Sequence, residues 1–223
     1  MLLDLPNSVR ESTVKLEADM RIVKTEVIAT ALKLLDEVGM EGLTMRKLAD
    51  ALSIQAPSLY WHFANKDALL EGMADALMEP VAASNPESEA WDARLGRVAS
   101  EVRNALLSRR DAARVFAGTY PLSDNVLRVG SLLISSLKQA GADDRTASWG
   151  AFTLVYFVIG FVIEEQGLGG KKEPAGQEEN PQAARFPLAA IAMREIAGAN
   201  ADQRFAFGLD LQIAGLKAAL RLS

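Results

Sequence analysis

Apolar residues recur at spacings of three and four along almost the whole chain, a pattern that predicts an all-α protein. Ile22, Val23, Val27, Ile28, Ala31, Leu32, Leu34, Leu35 and Val38 form the first such series, and Gly39 ends it. Thr44 is placed to cap a second, short helix in which Leu48, Ala51 and Leu52 face inward and the small Ala49 admits a neighbouring helix. Ser53 falls in the following turn, where a Gly would take positive φ more easily and Ser carries some strain. Pro57 suits the first turn of a third helix, because its missing N–H is not needed there and its φ is already helical. The boundary therefore falls at Gln55 or Ala56. Leu59 and Phe63, four apart, share the face that packs this helix on the first two, and Asn65 caps a longer helix from Lys66 to about Met78.

Two short helices joined by a tight break make a helix-turn-helix, whose second helix lies in a DNA major groove. Tyr60, Trp61 and His62 span about 200° of a helix and cannot all point inward. An aromatic core patch is the plainer alternative. If exposed beside Pro57 and Ser58, they suit phosphate hydrogen bonding by Tyr and His and apolar contact with a thymine methyl. Arg46, at the start of the second helix, is either a bidentate guanine reader or a solvated surface arginine. Lys66 falls near the backbone phosphates.

Farther along, Trp149 to Ile163 is the longest apolar run, shorter than the roughly 20 residues needed to cross a bilayer. Its flanks, Asp143-Asp144-Arg145 and Glu164-Glu165, are charged, which predicts a buried core helix and no membrane partner. Phe157, Gly160, Phe161 and Glu164 share one helical stripe. Glu164 thus either ends an apolar wall or terminates the helix at solvent. Residues 167–183 are rich in Gly, Pro and charge and cannot continue it. In the last helix, over 204–222, Phe205, Leu209, Ile213, Leu216 and Leu220 form an apolar face, with Gly208, Ala214 and Gly215 permitting close approach. That face serves either a dimer interface or the chain's own core.

With 223 residues, 49% of them hydrophobic, the chain can fill one large core or two modest ones. The absence of Cys excludes disulfides, thiolate metal sites and Cys nucleophiles. The opening MLLDLPNSVRES does not read as a secretory signal, so a cytoplasmic location is expected. A net charge of −5 argues against general coating of a polyanion. Locally, however, Arg46, Lys47 and Lys66 outnumber Asp50, a surplus that a dimer presents twice. The sole histidine, His62, lies in this basic head, so no His-ligated metal forms elsewhere and no cofactor is implied. Without Cys, and with that His committed, no spacing of carboxylates, Lys and Tyr suggests an enzyme.

The stretch EVGMEGLTMRKLADALSIQAPSLYWHFANKDALLEGMADALM resembles the DNA-binding head of TetR-family transcriptional repressors. ALLSRRDAARVFAGTYP, at 105–121, and FTLVYFVIGFVIEEQ, at 152–166, resemble the ligand-binding core of the tetracycline repressor subgroup, so the likeness covers about residues 21–221. The resemblance implies a three-helix DNA-binding head with helix-turn-helix at 21–66. A connecting helix and a helical effector-binding and dimerisation domain follow at 67–223, and residues 1–20 are an N-terminal extension expected to be flexible. It further implies a homodimer on a palindromic operator of double-stranded DNA, with half-sites about one helical turn apart, released by a small-molecule effector. Thr44, Arg46, Ala56, Pro57, Ser58, Tyr60, Trp61, His62 and Lys66 take the DNA-facing positions. Ala56 departs from the subgroup, standing where it carries a base-reading Gln.

The same resemblance maps the ligand pocket onto Val98, Val102, Phe116, Thr119, Tyr120, Phe152, Tyr156 and Glu164. Here Phe116 replaces a metal-binding His, Tyr156 a second His, Tyr120 an Arg and Val98 an Asn, while Ala82 stands near a further His. Thr119 and Glu164 keep the subgroup's chemistry. One carboxylate alone is a weak site for a hard divalent cation, which wants several oxygens. The expected effector is therefore apolar or aromatic and not magnesium-tetracycline. Phe186 to Ile196 corresponds to a lid over the partner's pocket. A ligand-insensitive architectural DNA binder is the alternative, for which the long acidic body would be superfluous.

Overall fold

The computed structural model describes residues 23–86, 88–119, 122–168, 184–198 and 200–221. Among them are ten α-helices and no strand: α1 (Lys24–Gly42), α2 (Met45–Ala51), α3 (Ala56–Tyr60), α4 (Lys66–Met78), α5 (Trp91–Leu107), α6 (Ala112–Ala117), α7 (Asp124–Gln139), α8 (Asp144–Leu168), α9 (Pro187–Gly198) and α10 (Ala201–Arg221). The all-α expectation holds. Residues 1–20, Ile22, Tyr120 and most of the 167–183 segment lie outside the described residues. The helices pack as two compact units, one of residues up to Ala83 with Asn104–Gly130, the other of Ser84–Arg103 with residues from Ser131 onward. Helices α5 and α7 each run unbroken through this division.

In the first unit, α1 buries Val27, Ala31 and Leu35 completely against Leu43, Leu48, Leu59, Leu69 and Met73. Burying each Leu contributes about 2 kcal/mol against the cost of ordering the chain. Gly39 breaks the helical path of α1 with φ 70° and ψ 177°, a conformation for glycine alone, so the stop predicted there is observed. A Cβ on it would also stand 3.0 Å from Asp111 Oδ2. That carboxylate belongs to Asp111, the N-cap residue of α6 at φ 55°, and accepts the Met40 N–H at 2.9 Å. Asp36 accepts from Arg109 Nη1 at 2.7 Å and from the Arg110 N–H at 2.9 Å, joining α1 to the segment before α6. One inward position is corrected. Ala51 is exposed, and Ala49 is buried to 2% exposure. The buried face of α2 is centred between Leu48, Ala49 and Leu52, which leaves Ala51 about 100° away.

In the second unit α8 packs on α10. Phe157 and Phe161 of α8 close on Phe205 of α10, with ring centroids 5.5 and 5.3 Å apart. Gly208 makes this approach possible, because a Cβ there would fall 2.5 Å from Phe157 Cζ. Beside the rings Arg103 of α5 is buried, donating to both Glu165 oxygens at 3.0 and 2.7 Å and to Asp202 Oδ1 at 2.7 Å. Its guanidinium lies 4.8 Å from the Phe205 centroid, so charge pairing and ring stacking hold three helices at one point.

The expectation of a fully buried core helix at Trp149–Ile163 is corrected. Helix α8 extends well past that run and has two faces. Ala147, Gly150, Ala151, Leu154, Val158 and Val162 are buried, while Trp149, Phe152, Thr153, Tyr156, Gly160 and Glu164 form an exposed stripe. The sequence is apolar all round, and the chain itself covers only one side. By length and composition Asp144–Gly167 could cross a membrane, and one third of that window is buried. In α10, Phe205 and Leu209 are buried and Ile213, Leu216 and Leu220 half-buried, whereas Phe207 and Leu211 are exposed.

Candidate nucleic-acid interface and effector positions

Local rules position the side chains expected to face DNA. Thr44 is extended (φ −130°, ψ 152°), and its Oγ1 accepts the Lys47 N–H at 3.2 Å, capping α2 as predicted. That cap leaves Arg46 and Lys47 exposed in the first turn. Ser53 takes φ 57°, the strained geometry expected of a non-glycine in this turn. The Ile54 N–H reaches back to Ala49 O at 3.0 Å and the Ser53 N–H to Asp50 O at 3.0 Å, so the end of α2 is closed by backbone bonds. Gln55 is the N-cap of α3 and Pro57 sits in its first turn.

Helix α3 is only five residues long, and its orientation is fixed by anchors on one side. Leu59 is fully buried and Phe63 is 2% exposed. The opposite side projects outward, with Tyr60 52% and Trp61 90% exposed. Pro57 is exposed, and Ala56, Ser58 and His62 are half-buried. The aromatic triplet is therefore split by the surface, not collected into a core. Asn65 Oδ1 accepts the Ala68 N–H at 2.8 Å, starting α4 where predicted. Lys66 is half-buried, and its Nζ donates to Met40 O at 3.4 Å. The ammonium thus rests on the bend of α1.

The effector positions are distributed over both units. Phe116 and Thr119, half-buried, belong to the first, where Thr119 Oγ1 donates to Phe116 O at 2.9 Å. Val98 and Val102 are buried in the second. Phe152 and Tyr156 stand on the exposed stripe of α8 with centroids 5.9 Å apart. Glu164 is exposed and without an ion-pair partner among the described residues, and α8 runs on to Leu168, so Glu164 faces solvent without terminating the helix. Tyr120 lies outside the described residues. Among the described residues no three His, Asp or Glu side chains gather as a metal site.

Two charged networks escaped the sequence reading. Arg103 meets partners 62 and 99 positions away. Asp75 of α4 meets Asn125 of α7, 50 positions away. No local periodicity signals such pairs. Burial pushes Asp75 up, but the neighbouring Ser123 hydroxyl and the hydrogen bonds from the Asn125 and Val126 groups outweigh it and hold its carboxyl below the usual value.

An all-α chain with a basic, aromatic-faced helix-turn-helix ahead of a longer helical body defines a DNA-binding transcriptional regulator. Residues 27–73 match the bacterial regulatory proteins of the tetR family, and residues 84–220 the tetracyclin repressor-like C-terminal domain. The chain is 37% identical to the tetracycline repressor protein class G of Vibrio anguillarum over 199 residues, 88% of this chain and 94% of that one. A possible TetR family transcriptional regulator from Streptomyces coelicolor A3(2) superposes with a TM-score of 0.80 at 36% identity, covering 88% of this chain and 100% of that one. The Streptomyces coelicolor TetR family protein ActR, in complex with actinorhodin, gives 0.78 at 28% identity over 89% of this chain and 98% of that one. The chain belongs to the TetR family of helix-turn-helix transcriptional repressors, whose members bind operator DNA as dimers and respond to ligands.

Proposed function

We propose that this protein represses transcription by holding a palindromic operator as a homodimer, and that an apolar or aromatic small molecule other than magnesium-tetracycline releases it. The carrying observation is the split of α3: Leu59 fully buried while Trp61, two residues on, is 90% exposed. An aromatic that open to water, at the end of the second helix of a helix-turn-helix, is placed to enter a groove. Thr44, Arg46, Pro57, Ser58, Tyr60, His62 and Lys66 are its companions at the interface, with phosphates taken by the hydroxyls and cations and base edges by Arg46. Ala56 reads no base by hydrogen bond, so the preferred operator differs from that of a repressor with Gln there. Residues 21–66 act as the head and 67–223 as the effector and dimer domain.

Phe116 supports the choice of effector. A phenyl ring cannot ligate a divalent cation, and Glu164 alone is a poor hold for one. Val98, Val102, Phe116, Tyr120, Phe152 and Tyr156 supply apolar and aromatic surface, with Thr119 as a hydrogen-bonding group. The exposed stripe of α8 and the outer side of α10, with Phe207 and Leu211, suit burial against a second copy, which also removes any need for a membrane. Phe186, Leu188, Ile191, Met193 and Ile196, all exposed on or beside α9, suit a lid over the partner's pocket. The protein acts in the cytoplasm and catalyses no reaction.

Tyr60→Ala tests the DNA side: operator binding is lost while the dimer stays folded, and unchanged affinity would refute the groove assignment. Adding magnesium-tetracycline to the operator complex tests the effector side, where no release is expected. Release at low concentration would contradict the pocket assignment, and an operator complex insensitive to every core-domain ligand would favour the architectural alternative.

A further inference from the structure

A helix ends with backbone carbonyls that its own N–H groups cannot reach, and begins with N–H groups in the same condition. At the close of α4 one side chain gathers the last carbonyl of the helix and three from the turn that follows it. Arg128 donates through Nη2 to Met78 O and Glu79 O, both at 3.0 Å, and through Nη1 to Val81 O at 2.6 Å and Ala82 O at 3.3 Å. At the opening of α7 the converse holds. Asp75 Oδ1 accepts the Asn125 N–H at 2.9 Å and the Val126 N–H at 3.4 Å, and its Oδ2 accepts Asn125 Nδ2 at 3.0 Å. Asn125 closes the circuit, its Oδ1 accepting from Arg128 Nη2 at 3.3 Å. Each helix is thus capped by a charged residue of the other, with the cation at a C-terminus and the anion at an N-terminus, as the helix dipoles favour.

We propose that Asp75, Asn125 and Arg128 are positioning residues for operator recognition: by locking the end of α4 to the first turn of α7 they set the register of the two heads on a palindrome. The inference rests on the operator-binding reading above. Its physical basis is leverage. Helix α4 begins at Lys66, beside α3, and ends at the clamp thirteen residues on. At 1.5 Å per residue that is about 20 Å, so a rotation of about 5° at the clamp displaces the head end by about 2 Å. Base-edge hydrogen bonds do not tolerate such a shift. Helix α7, the other half of the clamp, presents both Asn125 and Arg128 from its first turns, so the hold on α4 comes from one helix end. None of the three residues belongs to the DNA-facing set, so their effect on binding is confined to geometry.

The test separates geometry from fold. A palindromic duplex is first selected from a random pool with the wild-type protein, and affinities of Arg128→Ala and Asp75→Asn are measured on it and on a duplex carrying one half-site. The expected result is a loss of about tenfold or more on the palindrome, with half-site affinity within about twofold of wild type. Equal losses on both duplexes would show that the clamp only keeps the head folded, and no loss on either would show that it positions nothing; both overturn the proposal. Should Arg128→Ala fail to fold, Asn125→Ala and Arg128→Lys, which keep the charges and weaken the circuit, are read by the same ratio. A wild-type protein that enriches no palindrome overturns the operator reading, and the clamp with it, before any variant is made.

Discussion

Replacing Trp61 with Ala separates stability from function within one short segment, α3 and its C-cap. Its neighbour Leu59 is fully buried, whereas Trp61 is 90% exposed. Leu59→Ala should therefore destabilise the fold by about 2–5 kcal/mol, and Trp61→Ala by no more than about 0.5 kcal/mol. An indole offers roughly 200 Å² of surface, which at about 25 cal/mol per Å² sets a ceiling near 5 kcal/mol per head. If a groove covers one third of it, each head loses about 1.7 kcal/mol. A two-fold dimer loses twice that, about 3.4 kcal/mol, or on the order of 300-fold in affinity. Thermal denaturation and fluorescence anisotropy with an operator duplex measure the two quantities on the same sample. Unchanged operator affinity, or a fall in melting temperature matching that of Leu59→Ala, would refute the reasoning.

Gly208→Ala places a Cβ 2.5 Å from Phe157 Cζ, and the displaced ring should destabilise the protein by about 1–3 kcal/mol in a denaturant titration. Arg103→Ala removes the partner of the part-buried Glu165; because Asp202 is 81% exposed and readily hydrated, the expected cost is about 2–3 kcal/mol, below that of a fully buried triad. Asp75 has a folded pKa below its ordinary 3.8, so the stability it contributes is fully present above that value and lost as pH falls through the folded one. The stability difference between wild type and Asp75→Asn should accordingly be constant at neutral pH and shrink below about pH 4, as followed by urea unfolding across pH.

Most of the head was legible because local chemistry decides it. Thr44 and Asn65 cap the helices predicted for them, Pro57 opens α3, and Ser53 adopts the strained turn geometry. Each of these depends on residues within four positions of itself. The miss at Ala51 came from tertiary packing, since a seven-residue helix can rotate to whichever face its neighbours leave open. Farther along, the apolar run in α8 identified the helix but not its two faces, because a side chain's hydrophobicity does not say who covers it. Nothing in the sequence singles out Arg103 or Arg128. Their partners lie tens of residues away, and only the fold brings them within reach.

If the uncovered aromatic row of α8 is the pairing face proposed above, the regulator's dose response depends on its own abundance. In the proposed homodimer a lone copy keeps Trp149, Phe152 and Tyr156 wet, and pairing is a concentration-dependent equilibrium. Below the dissociation constant of the pair, halving the copy number removes about three quarters of the assembled molecules, because pair concentration scales as the square of the total. Silencing of a target gene would then switch off more sharply than a single-chain protein allows, even with no inducer in the cell.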